Sequence, residues 1–353
     1  MKYLRWLLFP LSLIYGLVVS IRNWFYDAGL FKSTLFNFPV ICVGNLDVGG
    51  AGKSPMTEYL IRLLKHEYKV ATLSRGYGRL TRGYLEAGLN ATATEVGDEP
   101  AQFKNKFADI TVAVCADRVA GIKKLMPEHD VVILDDAYQH RAVKPGFSVL
   151  LFDYTRINEP RLMLPAGNLR EPFVGRWRAD VLMVSKCPSN LTVQEQEQLT
   201  ARLKPFPFQK VYFTTIAYQT LQRLDGGGFA DNIDADTTVF LLSGIANTTP
   251  LLQHLQGITP KIIHYKYPDH HQFSLKNISK LADEFGACTA EKKLLITTEK
   301  DAQRLGEQQL LPLVNKLPFL VLPIGIKFID GEQEFAGLIK NYVREYSSHN
   351  SIH

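Results

Sequence analysis

From Pro39 onward, apolar and polar positions follow one repeated rhythm: a short run of β-branched and aliphatic residues, a loop, then a longer amphipathic stretch. Short continuous apolar runs are the mark of strands buried on both faces of a parallel sheet, and the longer stretches are the helices that cross back over it. The pattern predicts strands at Val40–Val43, Val70–Leu73, Ile110–Val114, Val131–Leu134, Ser148–Phe152 and Val181–Val184, with a helix over Pro55–His66 whose proline stands near the first turn. A second series follows, with strands at Val211–Ile216, Val239–Leu242, Ile262–Tyr265, Leu294–Thr297 and Phe319–Leu322 and a helix near Glu332–Tyr346. Between the two series lies Pro205-Phe206-Pro207-Phe208, and two prolines that close together cannot sit inside a regular element. The expected organisation is an α/β chain with a parallel-sheet domain over residues 31–208, a second, smaller α/β domain over 209–346, and a frayed tail at 347–353.

The first thirty residues break the rhythm. No charge lies between Trp6 and Ile21, while Lys2 and Arg5 precede the run and Arg22 follows it. At about 1.5 Å per residue this run is shorter than the roughly 30 Å hydrocarbon core of a bilayer. Pro10 interrupts it, so a full span would need flanking residues to snorkel. Trp6, Trp24, Phe25 and Tyr26 at its ends suit the membrane interface. Residues 1–30 are therefore read as a membrane-associated helix lying in, or dipping into, one leaflet. No small-residue cleavage site follows the run, which argues against a secretory signal; a helix buried in a soluble core is the open alternative.

Composition narrows the class without changing this picture. The 353 residues suffice for two ordinary domains, and 46% hydrophobic with 21% charged residues is the balance of a folded protein. A net charge of +5 without a long basic run argues only weakly for nucleic acid; an anionic membrane or a phosphorylated substrate suits it equally well. Cys42, Cys115, Cys187 and Cys288 are scattered and form no close pair, so they read as free thiols in a reducing compartment rather than zinc ligands.

The chemistry concentrates after the first strand, where Gly44-Asn45-Leu46-Asp47-Val48-Gly49-Gly50-Ala51-Gly52-Lys53-Ser54 opens a helix. A loop without bulk lets backbone N–H groups close around phosphate oxygens, and the helix N-terminus adds its positive dipole. Lys53 reaches the β- and γ-phosphates and the Ser54 hydroxyl suits Mg²⁺. The nucleotide cradle is thus Asp47, Val48, Gly49, Gly50, Ala51, Gly52, Lys53 and Ser54, although Asp47 stands where the general phosphate-loop pattern has glycine. A P-loop also needs a carboxylate at the end of another parallel strand, and Val131–Leu134 runs into Asp135 and Asp136.

Accessory residues decide among P-loop classes. A guanine-specific GTPase would carry an aspartate where this chain reads Ser185-Lys186-Cys187-Pro188, and partition ATPases use a lysine where it has Val48. Four polar constellations remain on predicted loops: Asp98-Glu99, Gln139-His140, Asn168 to Glu171, and Asp269-His270-His271. Loops at the carboxyl ends of a parallel sheet are where ligands bind.

Together these motifs resemble the tetraacyldisaccharide 4'-kinases, the lipid A 4'-kinases of bacteria with an outer membrane. The resemblance runs from the apolar N-terminus and the phosphate loop through Ser74-Arg75-Gly76-Tyr77-Gly78, Gly97-Asp98-Glu99-Pro100 and Asp117-Arg118. It continues in Leu134–His140, Leu164–Gly167 with Leu169–Pro172, Ser243-Gly244-Ile245, Asp269-His270 and Thr297–Asp301. The family is similar in lacking the first loop glycine; Ala137, Asn168 and Ser54 depart from its usual residues without removing a functional group.

The resemblance implies an ATP-dependent kinase that phosphorylates the 4'-hydroxyl of tetraacyldisaccharide 1-phosphate, bound at the cytoplasmic face of the bacterial inner membrane, with the site between two α/β/α lobes. It implies Asp98 and His270 as a base dyad, Lys53 on the phosphates, Ser54, Glu99, Asp135 and Asp136 about Mg²⁺, and Arg75, Arg118, Gln139, Asn168, Arg170 and Glu171 on nucleotide or substrate. The expected partner is membrane lipid, with no nucleic acid and no obligate protein. Two rivals remain. A membrane-tethered P-loop ATPase switch leaves the Asp98 and His270 loops without a task, and a soluble metabolite kinase leaves Trp6–Ile21 without one.

Overall fold

The computed structural model describes residue 5 and residues 7–224, 227–229 and 232–350; Lys2, Trp6 and the last three tail residues lie outside them. The first helix, α1, is Phe9–Asp27. Pro10 stands in its first turn, where a missing N–H costs nothing, so it starts the helix instead of interrupting it. Among the described residues no helix is long and apolar enough to cross a membrane. One side of α1 is tied down: Ser12 Oγ accepts from the Ala166 amide at 2.8 Å, and the Tyr15 hydroxyl donates to the Arg170 carbonyl at 2.9 Å. Leu13, Ile14, Leu17, Val18 and Trp24 remain about 60% exposed.

The strands are β1 (Val40–Asn45), β2 (Val70–Ser74), β3 (Thr111–Val114), β4 (Val131–Asp135), β5 (Phe147–Asp153), β6 (Val181–Ser185) and β7 (Lys210–Tyr218). They continue with β8 (Thr238–Ser243), β9 (Ile262–Lys266), β10 (Lys293–Thr298), β11 (Phe319–Leu322) and β12 (Ile324–Phe328). A nine-stranded sheet runs in the order β12-β7-β6-β5-β1-β4-β2-β3, with the two-residue strand Leu85–Glu86 at its far edge. Strands β1 to β7 are parallel, and every residue of β1, β2, β4 and β6 is buried. Double burial explains why these runs read as uninterrupted apolar stretches. The second sheet has five strands in the order Gln222–Arg223, β11, β10, β8, β9, with β8 to β11 parallel.

The sheets divide the chain differently from the expected boundary at 208/209. β7 pairs in parallel with β6 of the large sheet, and β12 pairs antiparallel with β7, so residues on both sides of the second sheet belong to the first lobe. The proline-rich segment is the loop that brings the chain from the helix Val193–Leu203 back into the same sheet. The last helix, Glu332–Asn350, also returns: Phe335, Ile339 and Val343 are fully buried in the core that covers one face of the large sheet. The Tyr342 hydroxyl bonds the Val40 backbone at 3.0 and 3.2 Å. This helix takes in residues 347–350, the first part of the segment expected as a tail.

Candidate active site

β1 delivers the chain into the phosphate loop, and α2 (Lys53–Leu64) leaves it. Gly49 and Gly52 hold φ of +107° and +81°, a region open to glycine and closed in practice to β-branched residues. The loop is braced from outside. Asp47 bridges to Leu169, the Val48 amide donates to the Asn168 carbonyl at 2.8 Å, and Arg156 donates to the Val48 carbonyl at 2.7 Å. Lys186, paired with Asp153 at 2.6 Å, donates to the Gly50 carbonyl, and Ser185 Oγ donates to that of Ala51 at 2.8 Å. This explains the missing glycine: the first half of the loop is a strand-like segment paired with residues 168–170, where a side chain is tolerated. Burial raises the pKa of Asp47 above the ordinary carboxylate value.

Lys53 Nζ donates to Asn45 Oδ1 at 3.1 Å and lies 3.7 Å from Asp136, whose carboxylate is also held by Arg170 at 2.8 Å. Burial works against charge on Asp136, yet Lys53 and Arg170 outweigh it and its pKa falls below the ordinary value. Asp135 is different. It is buried, accepts one hydrogen bond from Thr57 Oγ1 at 3.1 Å, and is pushed up to about 7 by burial and by the charges of Glu99 and Asp136. No cluster of three or more His, Cys, Asp or Glu side chains among the described residues forms a protein-only metal cage. The donor set is instead the carboxylates of Asp135, Asp136 and Glu99, the last two near enough to raise the first, with the Thr57 hydroxyl on Asp135 and Ser54 in the first turn of α2, all hard oxygens. That chemistry fits Mg²⁺, which keeps several waters and takes few protein ligands beside nucleotide phosphates.

Asp98 opens α3 (Asp98–Lys106), after Gly97 at φ +97°. A Cβ on Gly97 would come within 2.9 Å of the Tyr77 carbonyl, so glycine here lets the Ser74–Gly78 loop lie against the turn that aims Asp98. Asp98 is 8% exposed, and its Oδ2 accepts from His270 Nδ1 at 2.9 Å and from Arg304 Nε and Nη2 at 3.0 and 2.6 Å. Burial alone would raise this carboxyl; the bonds from His270 and Arg304 overcome it and lower it to about 2. His270 sits at φ +58°, a conformation uncommon outside glycine, and its Nε2 lies 3.5 Å from Lys300 Nζ. Lys300 also pairs with Glu99 at 2.8 Å. The structure therefore joins Asp98 and Glu99 of the first lobe to His270, Lys300 and Arg304 of the second. Arg304, on the short helix Glu299–Leu305, carries no sequence signal that sets it apart from a surface charge; its burial shows only in three dimensions.

The remaining residues divide. Arg75 is exposed beside Arg118, a residue only 4% exposed, whose guanidinium donates to the Ala116 carbonyl at 2.8 Å and keeps a buried Nε without a protein partner. Burial and Arg75 lower the pKa of Arg118. Gln139 donates to the Asn45 carbonyl at 2.8 Å, and Arg170 to the same carbonyl at 3.1 Å, so both buttress the phosphate loop. Asn168 donates to Glu159 at 2.9 Å and accepts from Arg5 at 3.1 Å. Glu171, expected on nucleotide or substrate, spends both carboxylate oxygens on protein side chains. It is completely buried, and its oxygens take Arg178 at 2.5 Å, Gln139 at 2.9 Å and Asn23 of α1 at 3.3 Å.

The tetraacyldisaccharide-1-P 4'-kinase family, LpxK, matches residues 4–344. A tetraacyldisaccharide 4'-kinase of Bacteroides thetaiotaomicron is 42% identical, over 99% of this chain and 96% of its own. One from Phocaeicola vulgatus is 41% identical, over 99% and 98%. Among solved structures, LpxK from Aquifex aeolicus in complex with ATP superposes with a TM-score of 0.74 at 29% identity, covering 96% of this chain and 99% of that one.

Proposed function

The chain belongs to the tetraacyldisaccharide-1-P 4'-kinase family, and from that premise we propose how its cleft performs the transfer. It is an ATP-dependent kinase of lipid A biosynthesis that moves the γ-phosphate onto the 4'-hydroxyl of tetraacyldisaccharide 1-phosphate. Backbone amides of residues 47–54 and Lys53 hold the β- and γ-phosphates, Lys53 leaving Asn45 and Asp136 to do so. Asp98 accepts the proton of the 4'-hydroxyl as its oxygen bonds to the γ-phosphorus and the bond to the ADP oxygen breaks. His270, donating to the far carboxylate oxygen, fixes the orientation. A base held near 2 is a weak one, but in a loose phosphoryl transition state the nucleophile keeps its proton until late, so a permanently ionised, well-aimed acceptor suffices.

Ser54, Asp135, Asp136 and Glu99 are the residues that would hold Mg²⁺, which neutralises the phosphate charge when bound. Arg75 and Arg118 supply positive charge for an anionic group of nucleotide or acceptor; the unpartnered buried Nε of Arg118 supports this. Gln139, Asn168, Arg170 and Glu171 act one layer behind, by holding the phosphate loop and the loop that α1 packs on. Helix α1 lies in one leaflet at the cytoplasmic face of the inner membrane, its exposed Leu13, Ile14, Leu17 and Val18 among the acyl chains, beside the lipid that is both substrate and partner.

The observation that carries this reading is the buried, ionised Asp98 at the junction of the lobes, bonded to a histidine of the second. With Mg-ATP and the disaccharide 1-phosphate lipid in detergent, Asp98→Ala should abolish phosphate transfer while leaving ATP binding intact. Loss of nucleotide binding would instead place Asp98 in the nucleotide site. ATP turnover indifferent to lipid would favour the tethered switch.

A further inference from the structure

Arg304 is among the largest fully buried side chains of the chain, at 2% exposure, and it spans the two lobes. Within its own lobe, Nη1 donates to the Gly244 carbonyl at 2.8 Å and to Asp301 Oδ1 at 2.9 Å. Asp301 is itself fixed by the Gly244 amide at 2.9 Å and Thr298 Oγ1 at 2.7 Å. The plane of the guanidinium is therefore set before it meets Asp98. Across the junction it gives Nε and Nη2 to one oxygen of that carboxylate, Oδ2, the same oxygen that His270 Nδ1 reaches. Three donors on one oxygen leave Oδ1 as the oxygen free to accept from a substrate hydroxyl.

We propose that Arg304 is a positioning residue for the phosphoryl transfer: it clamps Oδ2 of Asp98 so that Oδ1 faces the acceptor hydroxyl, and it makes that alignment depend on the second lobe being seated. The inference rests on the assignment of Asp98 as proton acceptor. A planar donor anchored on three sides can hold a carboxylate in one rotation, which a histidine on a single bond cannot. Misplacing a reacting group by about 1 Å costs on the order of 100-fold in rate.

The competing role is that of a lobe fastener with no bearing on the base, and a second fastener supplies the control. Glu299, which opens the same helix, pairs with Lys106 of α3 and accepts from the Ile324 amide at 3.0 Å without touching Asp98. In the full-length enzyme, with saturating Mg-ATP and disaccharide 1-phosphate lipid, Arg304→Gln should lower kcat about 100-fold. Its KM for ATP should stay within about threefold of the parent, and Glu299→Gln should keep kcat within about threefold. Arg304→Lys restores the charge but not the fork, and should recover only part of the loss. If Arg304→Gln does not fold, Arg304→Lys carries the test alone, with kcat expected at least about tenfold down. Wild-type kcat in either Arg304 variant, or an equal loss in Glu299→Gln, overturns the proposal. An active Asp98→Ala would instead sink the base assignment itself, whatever Arg304 does.

Discussion

Asp135 and Asp136 are neighbours in sequence, yet their surroundings push them in opposite directions. Asp136 faces Lys53 and Arg170 and is held ionised, while Asp135, facing Thr57 and two other carboxylates, is pushed up to about 7. A carboxyl whose folded pKa lies above its unfolded value leaves stability intact below pH ~4 and removes it as pH rises through the folded value. Asp135 therefore destabilises the metal-free protein at neutral and alkaline pH, by on the order of 2–4 kcal/mol at full ionisation. Asn keeps the Thr57 acceptor and removes the charge. Asp135→Asn should thus raise the melting temperature in chelator at pH 8, with the gain shrinking toward zero near pH 4, while impairing transfer. A gain that does not change with pH would mean that charge is not the cause. The sequence showed two acids after a strand and so the pair was legible; their division of labour was not, because it depends on side chains from α2, α3 and the 164–171 loop.

Elements were legible where local pattern and burial coincide. β1, β4 and β6 lie where continuous apolar runs put them, because a strand covered on both faces has no polar alternation to lose. α2 begins at Lys53, two residues before the expected Pro55, because the proline occupies the first turn rather than its start. The run Val211–Ile216 was legible as a strand but not as a member of the first sheet, since strand order is a property of topology that no window of sequence carries. Helix α1 shows the reverse case: its apolar pattern predicted lipid, and the structure leaves that face uncovered instead of packing it. Ile14 and Leu17 are 61% and 62% exposed on the side away from Ser12 and Tyr15. Replacing both with Asp should leave the melting curve within a few degrees of the parent, because neither supports the core. Co-sedimentation with anionic phospholipid vesicles should drop at least about tenfold, since each exchange forfeits apolar burial worth about 1.5–3 kcal/mol and adds a charge that anionic headgroups repel. Unchanged sedimentation would remove α1 from the membrane interface.

At the scale of the whole molecule, the second lobe is an insertion between two paired strands. The chain leaves the large sheet after Tyr218 and re-enters at Ile324, and these two residues face each other across the antiparallel β7–β12 ladder. Beyond them the Gln219 amide still donates to the Pro323 carbonyl at 2.9 Å. The buried cores respect the same division. The two that cover the large sheet draw on residues up to Phe213 and from Phe328 onward, and the two of the second sheet on residues from Leu221 to Leu322. Each lobe thus has its own apolar interior, and the junction between them is built of ion pairs: Arg304 with Asp98, Lys300 with Glu99, Glu299 with Lys106. A polar junction between separately cored units is the arrangement expected of lobes that move against each other. Replacing residues 220–322 with Asn-Gly would close β7 and β12 as a hairpin, a turn whose backbone suits the twist of an antiparallel pair. The shortened chain should fold, unfold in one transition and bind ATP, because residues 47–54 and their braces all remain. It should transfer no phosphate to lipid, because Asp98 has lost His270 and Arg304 together. A shortened chain that still phosphorylates the disaccharide would mean that the second lobe serves binding alone; one that folds but cannot bind ATP would mean that it completes the nucleotide site.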